Sequence, residues 1–531
     1  MGEVHVAPAT VISLPVVTVG HSMRSGHQQI RQVVLADSSL KNRQDAGDLA
    51  DWADPTAVES PPVLALHRAA LPAVTVRSVL LLAMPAIIEQ IIQGAVGLTD
   101  TIVAGHIPGD ERTVAAASAA VGVMAYMQWL SGLLNSAFAV GATAIVSRSI
   151  GANRPRVANR VAGTALTGAF VVSGVLAILM FIFSHQVAGF AGLHGLALEF
   201  GTQYLHIMVI TIALQAASMI GMACLRGAGD TMRPMMVTAG VALINIVTTS
   251  SFCFGWLGAP AWGIRGNAFG TMIAYLLGGI ATMVLLLGGW SKVKLQMRHL
   301  RIVPHIMMRL LRIGLPSWVE GMLLWLGQFL IVIFVINSND SALKIDGVTM
   351  AAHNAVIRIE SLAFLPGFGF GIACSALVGQ YLGAKRVDEA EHAARLCNRL
   401  ATVTMTVLAI PMVVFPQPLL SLMVNSPPVV KLAVWPLVLA GLAQPGFAVS
   451  ITRGAALKGA GETVFPMLAT AFGMAVVRVP ILLGALYVCT RIGRPGLGLM
   501  AVWIGIFADL SFRGVFNSLA FRRGSWKHKR V

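Results

Sequence analysis

The sequence predicts an all-α membrane protein: twelve transmembrane helices in two six-helix parallel repeats, related by a pseudo-two-fold axis along the membrane normal. The first observation is composition. Of 531 residues, 56% are hydrophobic and only 11% charged, with a mean hydropathy of +0.77, which excludes a soluble globule. Stretches such as 165–183, 264–289 and 464–487 carry at most one charge over the roughly 20 residues that a helix needs to cross a bilayer.

The second observation is an internal duplication. Arg226-Gly227-Ala228-Gly229-Asp230-Thr231, followed by Pro234-Met235, recurs 232 residues later as Lys458-Gly459-Ala460-Gly461-Glu462-Thr463, followed by Pro466-Met467. Gly151-Ala152 recurs at the same spacing as Gly383-Ala384, and Pro85 with Glu89 recurs after 231 residues as Pro316 with Glu320. Gly227, Gly229 and Asp230, with Gly459, Gly461 and Glu462, read as structural turns. Glycine lets a helix stop outside helical space, and the proline opens the next helix where a missing N–H costs nothing.

The third observation is charge placement. Past residue 77, loops assigned to the inner side hold 24 Lys and Arg, whereas the opposite loops hold six: Arg112, Arg265, Lys344, Lys431, Arg491 and Arg494. The excess places both termini in the cytoplasm of a multi-pass cell-membrane protein. It also accounts for the net charge of +16 without nucleic acid as a partner. Because six is even, both repeats start on the same side, which makes them parallel, with a substrate route at their interface.

Along the chain, residues 1–76 are polar and aperiodic and are expected to form a disordered cytoplasmic extension. The apolar piece 11–19 is too short to span and lacks a basic flank, so it is no signal peptide. The first lobe occupies 77–289, with spans near 78–105, 114–147, 158–183, 202–224, 234–256 and 266–289. A cytoplasmic linker, 290–307, leads to the second lobe, 308–520. Its spans lie near 308–337, 348–379, 391–415, 431–456, 466–489 and 498–520. The tail, 521–531, is basic and reads as an anchor at anionic lipid.

In the first span, Glu89, Gln93 and Asp100 share one stripe. Such a stripe faces the bundle interior or a water-filled cavity, because hydrocarbon does not solvate it. The eighth span carries His353, Arg358 and Glu360 before a Pro366 and glycine-rich bend; the last two residues, two apart, cannot face each other and pair across helices. Arg478 and Asp509 read as an ion pair within the second lobe. Five lone cysteines offer neither a disulfide framework nor a metal site. There is no G-x-x-x-x-G-K-[ST] phosphate loop, no H-E-x-x-H and no G-x-S-x-G, which argues against an ATP-driven pump and an intramembrane hydrolase. No cofactor is expected. An ion gradient remains as the energy source.

Taken together, Pro85…Asp100…Gly105, Ser147…Gly151-Ala152, the Arg226–Thr231 turn, Gly314-Leu315-Pro316, Ala351-Ala352-His353 and Arg358-Ile359-Glu360-Ser361-Leu362 resemble the multidrug and toxic compound extrusion (MATE) family over residues 75–520. The stretch 358–366 looks most like the bacterial branch that includes DNA-damage-inducible transporters. The resemblance implies a V-shaped pair of six-helix lobes that export amphipathic, often cationic, compounds in exchange for H⁺ or Na⁺, across a bacterial inner membrane. Two positions depart from the family. Thr249 stands where many members carry an acid four residues after the asparagine matched by Asn245. Leu324 stands where some carry a glutamate, and Glu320 lies one turn earlier.

Asp100, Asn245, Thr249 and Glu89 are therefore the ion-coupling candidates, and Gln93, Glu320, His353 and Arg358 are the substrate-cavity candidates. A lone carboxylate deep in an apolar helix is a natural proton or Na⁺ switch; the alternative for Asp100 is a permanent hydrogen bond to Asn245. The partner of Asp100 in repeat register is Ile331, so the deep acid belongs to one lobe only. Neutral donors at 245 and 249 favour H⁺ over Na⁺. The reading is a monomeric secondary antiporter, not an enzyme, with a small-molecule substrate and the bilayer as partners. The alternative is a flippase for a lipid-linked oligosaccharide or lipid II-like substrate.

Overall fold

A computed structural model describes residues 71–331, 347–492, 498–529 and 531. Residues 1–70 of the expected extension, the end of the seventh predicted span, Lys344 and Arg494 lie outside the described residues.

Six long helices form the first lobe: α1 Val76–Gly105, α2 Glu111–Gly151, α3 Pro155–Ile182, α4 Gly195–Gly227, α5 Met232–Phe254 and α6 Ile264–Gly288. The second lobe holds α7 Pro304–Leu330, α8 Val348–Gly383, α9 Val387–Val414, α10 Pro427–Gly459, α11 and α12 Gly498–Arg523. Helix α11 is broken: Val464–Phe472 leads through a π-helical turn, Gly473–Arg478, into Val479–Ile492. Among the described residues 11 helices are long and apolar enough to span. The twelfth, α7, is 27 residues long and carries three charged side chains, Arg309 and Arg312 in its first half and Glu320 just past its middle.

The helix ends follow local chemistry. Thr75 caps α1 in a reciprocal box with Ser78: the Ser78 N–H donates to Thr75 Oγ1 at 3.1 Å and the Thr75 N–H to Ser78 Oγ at 2.9 Å. Asp110 caps α2 by accepting from the Thr113 N–H at 3.0 Å. Pro155, Pro304 and Pro427 open their helices. In each duplicated turn only the second glycine leaves helical space, with φ of +87° at Gly229 and +80° at Gly461. The acid's N–H then closes back on the helix, Asp230 to the Leu225 carbonyl at 2.9 Å and Glu462 to the Leu457 carbonyl at 2.8 Å. The first glycine has another use: a methyl group at Gly227 would press tightly on the backbone of Thr143, and one at Gly459 would strike the backbone of Ser375.

The pairing of helices shows the two-fold. In each lobe the second helix packs on the fourth, and the fourth on the third and sixth. Between lobes, α1 packs on α8 while α7 packs on α2, and α2 meets α8. The closest approach is reciprocal. A side chain at Gly151 would meet the backbone of Gln380, and one at Gly383 the backbone of Arg148. Small residues here do what they do in other membrane bundles, letting backbones pack closely where lipid provides no hydrophobic drive.

Two expectations about the ends are corrected. Residues 71–76, assigned to the extension, belong to the folded body: Val74 is buried in the second lobe's core, and Tyr381 Oη donates to the Pro72 carbonyl at 2.7 Å. The basic tail is not a free lipid anchor. Trp526 is fully buried, Lys527 pairs with Glu391 at 2.7 Å and Lys529 with Glu462 at 2.7 Å. The carboxylates of α9 and of the second turn hold these lysines against the protein.

Candidate functional site

The deep acid of α1 sits where α1, α5 and α6 converge. Asp100 Oδ1 accepts from Asn245 Nδ2 at 3.2 Å and from Thr271 Oγ1 at 3.0 Å. Asn267 Nδ2 donates to the Asp100 backbone carbonyl at 3.0 Å, which holds this end of α1 to α6. Asn245 Nδ2 also reaches Thr249 Oγ1 at 3.2 Å and Thr271 Oγ1 at 3.0 Å. All five side chains are buried. Thr249 is thus one hydrogen bond removed from the carboxylate it was expected to serve. Thr271 and Asn267 were missed in the sequence, although an asparagine and a threonine four apart on an apolar helix share one face and carried the signal.

Asp100 also lines a cavity of about 70 Å³ between α1, α2, α3 and α4. Its wall is soft and largely apolar, with Met124, Met127, Met180 and Met208, while Gln128 and Tyr204 add polar atoms. Thioethers have no fixed hydrogen-bond geometry and adapt to varied apolar and aromatic shapes. Among the described residues lining it, Asp100 is the one charged group.

Glu89 is elsewhere. It lies three turns before Asp100, about 16 Å along the axis at 1.5 Å per residue, and forms an ion pair with Arg226, the basic residue of the first duplicated turn. In the second lobe Glu320 meets Lys458 at 2.8 Å. The duplicated acid and the duplicated base are therefore one duplicated interaction, joining the first helix of each lobe to the end of its fourth. Glu89 holds the lobe together rather than sharing a site with Asp100, and Glu320 is committed in the same way.

At the matching positions of the second lobe the described side chains differ. In repeat register Gly97 becomes Gln328 and Val121 becomes His353. Gln328 Nε2 lies 3.4 Å from His353 Nε2, and the His353 ring packs against that of the buried Trp503 at 5.7 Å between centroids. Glycine and valine line the cavity in the first lobe, and larger side chains stand at those positions in the second. Ile331 replaces Asp100 and is fully buried. Gln93 and Arg358 are exposed. None of Gln93, Glu320, His353 and Arg358 lines the cavity beside Asp100.

The expected pair of Arg478 and Asp509 is present at 2.6 Å, and Arg513 joins the same carboxylate oxygen at 2.5 Å. Glu360 accepts from Gln444 Nε2 at 3.3 Å. Among the described residues no cluster of His, Cys, Asp and Glu has the makings of a metal site.

The model of the MatE family matches the chain twice, over residues 85–250 and 316–483, each match starting at a repeat proline. The chain is 28% identical over 453 residues to a probable multidrug resistance protein NorM of Thermotoga maritima, covering 85% of this chain and 93% of the relative. It is 24% identical to the multidrug resistance protein MdtK of Edwardsiella ictaluri, covering 84% and 95%. Among solved structures, the fold matches an outward-facing multidrug resistance MATE family transporter of the MOP superfamily with a TM-score of 0.74 at 22% identity, over 86% of this chain and 97% of that one. It also matches the bent form of the Vibrio cholerae MATE transporter VcmN with a TM-score of 0.73 at 18% identity, over 84% and 96%.

Proposed function

This chain belongs to the MatE family, whose members are transporters and not enzymes, and we propose that it is a secondary antiporter exporting amphipathic, often cationic, small molecules from the cytoplasm in exchange for protons. The observation that carries the reading is the first-lobe cavity, walled by flexible thioethers and holding a single carboxylate.

The chemistry follows from one negative charge in a dry place. An ionised Asp100 with only neutral donors around it is costly to bury and is satisfied by a bound cation or by a proton. Substrate and proton therefore compete for the same oxygens. Open to the cytoplasm, the carboxylate loses its proton and takes up a cationic compound, whose apolar body lies on the methionine wall. Open to the outside, where a proton gradient keeps the carboxylate neutral, the substrate loses its counter-charge and leaves. Asn245 and Thr271 orient the carboxylate in both states. A Na⁺ site needs several converging oxygens, and the described neighbours of Asp100 supply few beyond Thr271 and Thr249, so H⁺ is the coupling ion in this reading.

In the same reading, the lobes 77–289 and 308–520 rock about their shared interface, joined by the linker 290–307, in the bacterial inner membrane. The face with the duplicated turns, Leu71 and Val531 is cytoplasmic, and the transporter acts as a monomer. A flippase for a pyrophosphate-linked lipid would want cations in the cavity, and no described lining residue is Lys or Arg.

The test is dye efflux from vesicles under an imposed H⁺ or Na⁺ gradient. Asp100→Asn, which keeps shape and hydrogen bonding, is expected to insert normally and to lose gradient-driven efflux. Full H⁺-driven efflux by that variant would move coupling away from Asp100.

A further inference from the structure

On the face that bears the duplicated turns, each lobe's second helix reaches across to the other lobe's fourth. Gln380 Nε2, from α8, donates to the Gly227 carbonyl at 2.9 Å. Arg148 Nη2, from α2, donates to the Ala460 carbonyl at 2.9 Å. Arg148 and Gln380 are repeat partners, 232 residues apart, so the same cross-lobe reach is made twice, onto carbonyls one register position apart.

The second copy is reinforced. Arg148 is longer than glutamine and charged, and its other arm, Nη1, donates to the Lys529 carbonyl at 2.6 Å. That carbonyl belongs to the folded tail, which is tied to the second lobe at three points. Trp526 is buried, with its indole N–H donating to the Phe521 carbonyl at 2.8 Å and its ring stacked on Phe521 at 4.7 Å. Lys527 is held by Glu391, and Lys529 by Glu462 of the second turn. Beyond them Val531 packs against the buried core of the first lobe and lies over Gly461.

We propose that Arg148, residues 525–529 and Val531 form a clasp that holds the two lobes closed on the turn face, and that this clasp opens each time the cavity is exposed to that side. The inference rests on the alternating-access reading above. The guanidinium makes charge-assisted bonds to two carbonyls of the opposite lobe. Separating the lobes breaks both at once and also peels Val531 off the first lobe. The tail is thus a brake on the inward-opening step and biases the resting protein towards the outward-open form. It is one-sided, because position 380 is glutamine and has no second arm to hold an equivalent strap.

The experiment measures the gap between the lobes directly. Spin labels at Arg156 and Asp388, exposed repeat partners near the ends of α2 and α8, report distance on the turn face by pulsed electron resonance, without substrate or gradient. The full chain is expected to show one short distance. Arg148→Gln should add a longer-distance population, raising the open-to-closed ratio about tenfold, the equivalent of about 1.4 kcal/mol. Removal of residues 525–531 should do the same, and Glu462→Gln, which frees only Lys529, should do so to a smaller degree. If the truncated chain fails to fold, Arg148→Gln decides alone. A folded Arg148→Gln protein with the unaltered distance distribution would overturn the clasp. Efflux does not enter this measurement. Failure of the clasp therefore leaves the antiporter reading standing, and failure of efflux leaves the distances interpretable.

Discussion

Neutralising Glu89 separates a structural ion pair from a transport site. Glu89 is fully buried and its partner Arg226 is 17% exposed. Glu89→Gln keeps the size of the side chain but leaves the guanidinium largely desolvated with no counter-charge. Breaking a buried pair in this way costs about 3–5 kcal/mol. The equivalent pair in the second lobe is wetter, with Lys458 at 26% and Glu320 at 13% exposure. Water can replace part of the lost carboxylate there, so Glu320→Gln should cost roughly 1–2 kcal/mol, between exposed and buried pairs. Removing both charges, in Glu89→Gln with Arg226→Gln, leaves no orphaned ion and should be less harmful than Glu89→Gln alone. The expected coupling is about 2 kcal/mol, within the range for residues in direct contact. The assay is the half-life of the monodisperse detergent-solubilised protein at fixed temperature, since membrane-protein unfolding is commonly irreversible. Efflux per folded molecule should stay near normal in Glu320→Gln. Equal losses for Glu89→Gln and Glu320→Gln, or a double variant as unstable as the two single losses combined, would refute the reasoning. A stable Glu89→Gln protein without efflux would return Glu89 to the coupling site.

Three further outcomes follow from the geometry. A Cβ at Gly97 would meet nothing within 4 Å, so Gly97→Gln should fold at least as well as the native chain, given glycine's poor helix propensity, yet lose efflux by plugging the cavity; retained efflux would show that the cavity is not the route. Gly151→Ala and Gly383→Ala each push a methyl group into the opposing lobe's backbone and should each destabilise the closed turn face by about 1–3 kcal/mol, to a similar degree. Spin-label distances across that face check this, and unaltered distances in both variants would contradict the close approach. Cysteines placed at Lys292 and Lys385 should react with a membrane-impermeant thiol reagent only from the cytoplasmic side, and those at Lys344 and Arg494 only from outside; external labelling at Lys292 would invert the topology.

The twelve-helix, two-lobe plan was legible in the sequence because a bilayer forces each span to be long, apolar and internally hydrogen-bonded. The duplication was legible because Gly229 and Gly461 are constrained by backbone conformation, as their left-handed φ shows, and a turn of that kind is readable without knowing its partners. Asp100 and Asn245 stood out because hydrocarbon tolerates few such groups. Partner choice was not legible. That Glu89 meets Arg226, 137 residues away, or that Lys529 reaches Arg148 across 381 residues, depends on how helices pack. In a membrane the lipid-facing and helix-facing sides are both apolar, so hydropathy does not say which face a neighbour covers. The same limit hid the asymmetry of the lobes. Gly97 against Gln328 and Val121 against His353 are unremarkable substitutions in a list; only packing reveals that Gly97 and Val121 line a cavity beside Asp100 while Gln328 and His353 approach each other.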